Sequence, residues 1–380
     1  MRINQVISRK PSELGRALAP LAGQRSDLLL VFGAIDHFTH PGFQQSLADI
    51  APQACLLGCS TAGEISAAGV DDGTCCITAV TFDKVGLKPA STILNGMDDS
   101  FAAGERIGRQ IQAPDLKAVL VFGPGVRING SALVDGISSI IGISVPITGG
   151  LAGDGGAFRE TFTLGPDGVS NHAVVAVGLY GDGLRFGHGS FGGWEPFGPA
   201  RKVTRCEGNI LYELDGEPAL EIYKRYLGDH ARSLPASGLL FPFAMLGDDH
   251  NAIGLIRTIL GVDEASGSLI LAGEIDANGY LRLMHASTDK LVNGAEAAAE
   301  AAAGVFQSVE NTLAILVSCV GRKLVMGSRV DEEVEAVGDV FRSKATLSGF
   351  YSYGEISPFT PGSSCKLHNQ TMTITCLGET

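Results

Sequence analysis

Gly58-Cys59-Ser60-Thr61-Ala62-Gly63-Glu64-Ile65-Ser66 returns near the other end of the chain as Gly349-Phe350-Tyr351-Ser352-Tyr353-Gly354-Glu355-Ile356-Ser357, with both glycines, the glutamate, the isoleucine and the closing serine kept. A looser copy, Thr148-Gly149-Gly150-Leu151-Ala152-Gly153-Asp154, has threonine for the first glycine and a shorter acid. An apolar run precedes each copy, at 28–33, 119–123 and 313–318. Val31 stands 32 positions before Gly63, Val121 stands 32 before Gly153, and Val317 stands 37 before Gly354. Self-similarity on this scale means one supersecondary unit written three times.

Each unit reads as a strand, a helix, a strand ending in a Gly-x-x-x-x-Gly-acid turn, and one or two antiparallel strands. The unbroken apolar runs are strands covered on both faces. Helices are expected over 10–22, 43–50, 131–141, 217–227 and 293–306. Gly165-Pro166-Asp167-Gly168 is expected to join strands 161–164 and 173–180, and 269–274 is expected to form a hairpin with 280–284. The fold class is α/β (α+β): two related halves built from these units, with mixed sheets and helices on the outer side. The halves are expected at 1–203, with a core over 28–200, and at 204–380, divided behind the break Gly198-Pro199.

A chain of 380 residues with 45% apolar residues buries a large core, and its 51 glycines mark many turns. A net charge of -13 argues against a nucleic-acid partner, which needs clustered Lys and Arg. The first residues carry Arg2, Arg9, Lys10 and Arg16 without the apolar run of a signal peptide, and no run is long enough for membrane insertion. A cytoplasmic protein is expected, with its eight cysteines reduced.

The recurring turn is not a phosphate loop, because an acid follows the second glycine where a phosphate binder needs a cation. Nor is it a nucleophile elbow, since Ala62 stands two residues beyond Ser60. Cys59 is a candidate thiol nucleophile, but its counterpart near the other end is Phe350. The glycines are expected to supply positive φ or close packing, and the acids to accept backbone amides.

The sequence resembles FIST-domain proteins, bacterial sensory modules with N and C halves. The resemblance rests on Gly58 to Ile65, on Gly349 to Pro358, and on Leu367-His368-Asn369-Gln370-Thr371. With no output domain recognisable along it, the chain looks like the stand-alone members, whose mark is the stretch from Gly187-His188 to Gly198-Pro199. That resemblance implies a non-enzymatic signal-transduction sensor that binds haem b, detects nitric oxide and regulates a separate histidine kinase, as a monomer or a homodimer. His188 is then the candidate axial ligand, with Phe186, Phe191, Trp194 and Phe197 within nine residues and glycines through which a flat ring could approach. His368 is a second histidine of interest, and Arg201, beside Lys202 and Arg205, is placed to pair with propionates. Asp36, His37 and His40 resemble half of a metal site. A second reading keeps the sensor and gives it an amino acid or other small metabolite held by Glu64, Arg201 and Glu355. A third makes Cys59 the centre of a thiol enzyme.

Overall fold

The structure, a computed structural model, describes the whole chain except positions 248, 249, 307, 309 and 359–363. In the first unit β1 (Arg2–Ser8) leads through the short helix Leu14–Leu18 to β2 (Leu28–Gly33), the helix Phe43–Ile50 and β3 (Cys55–Ser60). A hairpin of β4 (Glu64–Ser66) and β5 (Gly69–Asp71) follows, and β6 (Cys75–Thr81) closes the unit. The second unit repeats the order with β7 (Gly86–Ile93), helix Ser100–Ile111, β8 (Leu116–Gly123), helix Gly130–Ile141 and β9 (Ile147–Leu151). It ends in the hairpin β10 (Thr163–Gly165) and β11 (Gly168–Ser170) and in β12 (Ala173–Tyr180). The third has β13 (Leu184–Phe191), helix Thr288–Ala303, strands Leu313–Cys319 and Thr346–Ser352, hairpin Gly354–Pro358 with Cys365–His368, and a closing strand Met372–Glu379. The repeated unit and the mixed sheets are as the sequence implies.

No unit keeps its hairpin. β4 pairs with Thr346–Ser352 of the third unit, placing Ile65 opposite Gly349. β10 pairs with β3 of the first, Thr163 opposite Cys59, and Gly354–Pro358 pairs with β9 of the second, Gly354 opposite Leu151. The result is a closed ring of three six-stranded sheets, in which each central parallel pair, such as β2 with β3, is completed by a neighbour's hairpin. The first glycine of the motif sits where these parallel strands come closest. A methyl group on Gly58, Gly149 or Gly349 would collide with the carbonyl oxygen of Val31, Val121 or Leu316 respectively. Gly149 therefore holds the place expected of Thr148.

The inner faces of the sheets share one core around the ring axis, with Leu28, Leu30, Leu120, Leu313 and Ile315 buried. At its centre the rings of Phe32, Phe122 and Phe350 lie 4.7 to 5.7 Å apart in stacked and edge-on pairs. Each such ring contributes on the order of 1.5–3 kcal/mol by burial. Phe350 occupies the place of Cys59, so aromatic volume has moved from one strand of the unit to its neighbour while the centre stays filled.

Between β13 and helix Thr288–Ala303 the chain leaves the ring to build a nine-stranded sheet of residues 195–285, with its own core of Leu211, Leu220, Tyr223, Phe243, Leu269 and Leu281. Its helix Ala219–Leu227 begins behind Pro218. Position 203 lies within the strand Arg201–Glu207. Two expected hairpins differ. The Gly165-Pro166-Asp167-Gly168 turn joins β10 to β11, the short partner that precedes β12. Ser268–Leu271 pairs with strands Ile210–Leu214 and Ile259–Asp263, while Tyr280–His285 pairs elsewhere in the sheet, because the glycine-bearing link between them is too long to hold a tight turn. The first helix is confined to Leu14–Leu18, where Pro11 and Pro20 limit it with 3-10 turns on both sides.

Candidate functional site

The three turns meet at one end of the ring, at the C-terminal ends of the parallel strands, and are tied by backbone hydrogen bonds. Ala62 N–H donates to Tyr351 O at 2.8 Å, Gly153 N–H to Ser60 O at 2.8 Å, and Tyr353 N–H to Leu151 O at 3.1 Å. Crevices of α/β folds form at such strand ends.

The two glutamates occupy matching nests. Glu64 accepts from the Thr61 hydroxyl and, at 2.9 Å each, from the Thr74 amide and hydroxyl. Glu355 accepts from Ser352 Oγ at 2.7 Å, Thr371 N at 3.1 Å and Thr371 Oγ1 at 2.9 Å. Burial outweighs these donors and pushes both carboxyls up to about 7. Asp154 differs: it accepts the amides of Phe158, Arg159 and Glu160 at 2.7, 2.6 and 3.1 Å and a hydroxyl bond from Tyr353, and so fixes the loop behind its turn.

Beside the first turn lies a cavity of about 580 Å³, lined by Asp36, Glu64, Asp72, Asp154, Lys323 and Leu324 among others, with Gly63 and Gly155 presenting backbone. Lys323 comes from helix Val320–Met326, which follows the third unit's first strand. Its ammonium donates to Ala62 O at 2.9 Å, pairs with Asp72, and stands 5.5 Å from the centre of the Tyr351 ring. The next residue inward, Arg322, is fully buried against Glu333 at 2.7 Å and also donates to Leu291 O at 2.8 Å and to Gly192 O. Ser318 and Tyr351 complete the bonds of Glu333. One helix thus lines the cavity and holds the chain where it leaves the ring for the inserted sheet. Neither Lys323 nor Arg322 stood out in the sequence, where each is a lone cation without a motif.

The residues expected around haem do not share a slot. His188 lies on β13 opposite Thr375, in the place that Gln5 takes opposite Thr78 on β1. Gln5 Nε2 donates there to Thr78 Oγ1 at 3.0 Å, and Thr78 Oγ1 to Ser348 Oγ at 3.0 Å, so this position is a polar seam between units. The glycines flanking His188 are filled: methyl groups on Gly187 and Gly189 would strike the carbonyls of Ala302 and Ala298, so helix Thr288–Ala303 lies where a flat ring was expected. Trp194 Nε1 donates to Gln370 O at 2.7 Å. Phe197 packs near Tyr226, Phe241 and His285, and Arg201 bonds Asp215 at 3.0 Å and the Tyr226 hydroxyl at 2.8 Å. His368 is buried, its Nε2 is 3.1 Å from Ser357 O, and burial pushes its imidazole down to about 4. This arrangement does not fit haem.

Of the alternative trio, Glu64 lines the cavity, Glu355 lies at the next seam, and Arg201 belongs to the inserted sheet. Cys59 is wholly buried in the axial core, and burial pushes its thiol well above the usual range, which leaves it inert as a nucleophile. Among the described residues no group of three or more His, Cys, Asp and Glu side chains is placed to hold a metal ion, so the partial pattern of Asp36, His37 and His40 gathers no further ligand. No described helix is long and apolar enough to cross a membrane.

Three strand-exchanged α/β units thus close a ring that carries a polar cavity at its turns. The chain belongs to the FIST family, whose domains are signal-transduction sensors: the FIST N domain matches residues 27–217 and the FIST C domain residues 219–358. It is 24% identical over 359 residues to an uncharacterized protein of Methanocaldococcus jannaschii, a match covering 86% of this chain and 66% of that protein, just under two thirds of its length. A crystal structure of cyanuric acid hydrolase from A. caulinodans aligns over 100% of this chain and 98% of that one at 10% identity, with a TM-score of 0.37.

Proposed function

We propose that this FIST protein senses a small zwitterionic metabolite, of the amino-acid type, in the cavity beside the first turn, and reports occupancy to a separate signalling partner such as a histidine kinase. The observation that carries the reading is the convergence of Lys323 with Asp36, Asp72 and Glu64 on one cavity of ordinary ligand size. A ligand carboxylate replaces Asp72 on the Lys323 ammonium, and a ligand amine meets the carboxylates. Displacing the Lys323–Asp72 pair changes the contacts of helix Val320–Met326, which supplies the differential affinity that a two-state sensor requires.

A thermal-shift screen of amino acids and related amines tests it. A specific ligand at a hundred times its Kd stabilises the fold by about 2.7 kcal/mol, and Lys323→Met abolishes the shift. If no such compound stabilises the protein, or if the variant responds like the wild type, the reading fails. The haem and nitric oxide reading makes a different prediction, a Soret band on reconstitution that moves with nitric oxide and is indifferent to Lys323→Met.

A further inference from the structure

A second concavity opens on the same end of the ring, at the second unit. Its volume is about 430 Å³, and its lining includes Arg127, Arg159, Thr161, Asn171 and His172. The chain has 28 Lys and Arg against 41 Asp and Glu, and some of its arginines lie against a carboxylate, as Arg106 does on Asp99 and Arg225 on Glu217. Among the described residues neither the Arg127 nor the Arg159 guanidinium has an ion pair. Glu160, the acid that shares the lining, is engaged by Asn171 Nδ2 at 2.9 Å, and Asn171 Oδ1 is 2.6 Å from His172 Nδ1.

Both arginines sit on backbone that is held in place. Arg127 has φ 59 and Phe158, next to Arg159, has φ 54, the left-handed region that non-glycine residues adopt only when their surroundings fix them. The fixing group on the Arg159 side is Asp154, with its three amide bonds. On the other side Thr161 Oγ1, buried, accepts from Gly125 N at 2.8 Å, which leaves its own proton to donate. Two planar forks and a hydroxyl line one space beside Glu160, whose Oε1 is taken by Asn171, and match the geometry of an oxyanion.

We propose that this concavity is an anion site, distinct from the zwitterion cavity, for a small molecule bearing a phosphate or carboxylate group. Asp154, which lines the first cavity, accepts the amide of Arg159 from the second. Calorimetric titrations with inorganic phosphate and with citrate, at constant ionic strength in chloride, distinguish the two sources. One of the probes saturates with a Kd below about 1 mM. Arg127→Ala combined with Arg159→Ala weakens it by about tenfold or more, while Arg16→Ala and Lys323→Met bind as the wild type. Both arginines are exposed, so circular dichroism of the double variant stays native. Failure of both probes to saturate, or a double variant that binds within tenfold of the wild type, overturns the proposal and leaves the zwitterion reading untouched.

Discussion

Glu355 offers a test in which sign and size follow from its nest. Its carboxyl is fully buried and accepts three hydrogen bonds, yet burial holds it at about 7, against an ordinary 4.5. Arg322 faces it and favours the charged form, but not enough to restore the ordinary value; Glu64, at about 7, has Asp72 as its neighbour, which opposes ionisation further. A carboxyl whose folded value is raised gives stability that is fully present below about 4.5 and is lost as pH rises through about 7. At about 1.4 kcal/mol for each tenfold change in proton affinity, the loss is about 3 kcal/mol for each glutamate. Glu355→Gln keeps the shape: the amide oxygen can accept from Thr371 and the amide nitrogen can donate to Ser352. Urea unfolding at pH 4 and pH 8 should show the wild type weaker at the higher pH, and the variant should recover about 3 kcal/mol of that difference. A variant with the full wild-type loss would refute the assignment of the proton to this group.

Gly189→Ala places a methyl group against the Ala298 carbonyl, so helix Thr288–Ala303 must lift; thermal unfolding should register about 1–3 kcal/mol of destabilisation, whereas Gly15→Ala, with open space around it, should show none. Arg322→Leu leaves Glu333 buried without its cation and should destabilise the fold by about 3–5 kcal/mol in urea unfolding. Adding Glu333→Leu should return part of that, and a double variant as weak as the sum of the singles would remove the pair from the account.

The triplicated motif was legible because its first glycine answers a steric demand that no other residue meets, and the acid behind the second glycine could be assigned to the turn itself. Hairpin exchange was not legible. A three-residue strand such as Glu64–Ser66 has the same pattern whether it returns to its own sheet or joins a neighbour's, so periodicity names the strand without naming the partner. The aromatic stretch misled for a related reason. Phe186 and His188 belong to β13, but the chain turns away at Gly192-Gly193, so Trp194 and Phe197 lie beyond that exit. Nearness in sequence did not survive the exit. Lys323 reaches its cavity from a unit more than 250 residues away, and a single sequence carries no sign of that juxtaposition.

The exchanged hairpins also set the order in which the chain can mature. β8 and β9 are complete once residue 151 has been made, yet the strands that cover their edge are Gly354–Pro358 and its partner Cys365–His368, so during synthesis that edge waits for more than half of the chain. At roughly 5–20 residues per second the wait is on the order of ten seconds or more, long enough for an open strand to meet another nascent copy. A ribosome-bound fragment ending before residue 354 should therefore attract chaperones, and a free peptide of the closing hairpin should suppress its aggregation by taking the vacant seat in trans.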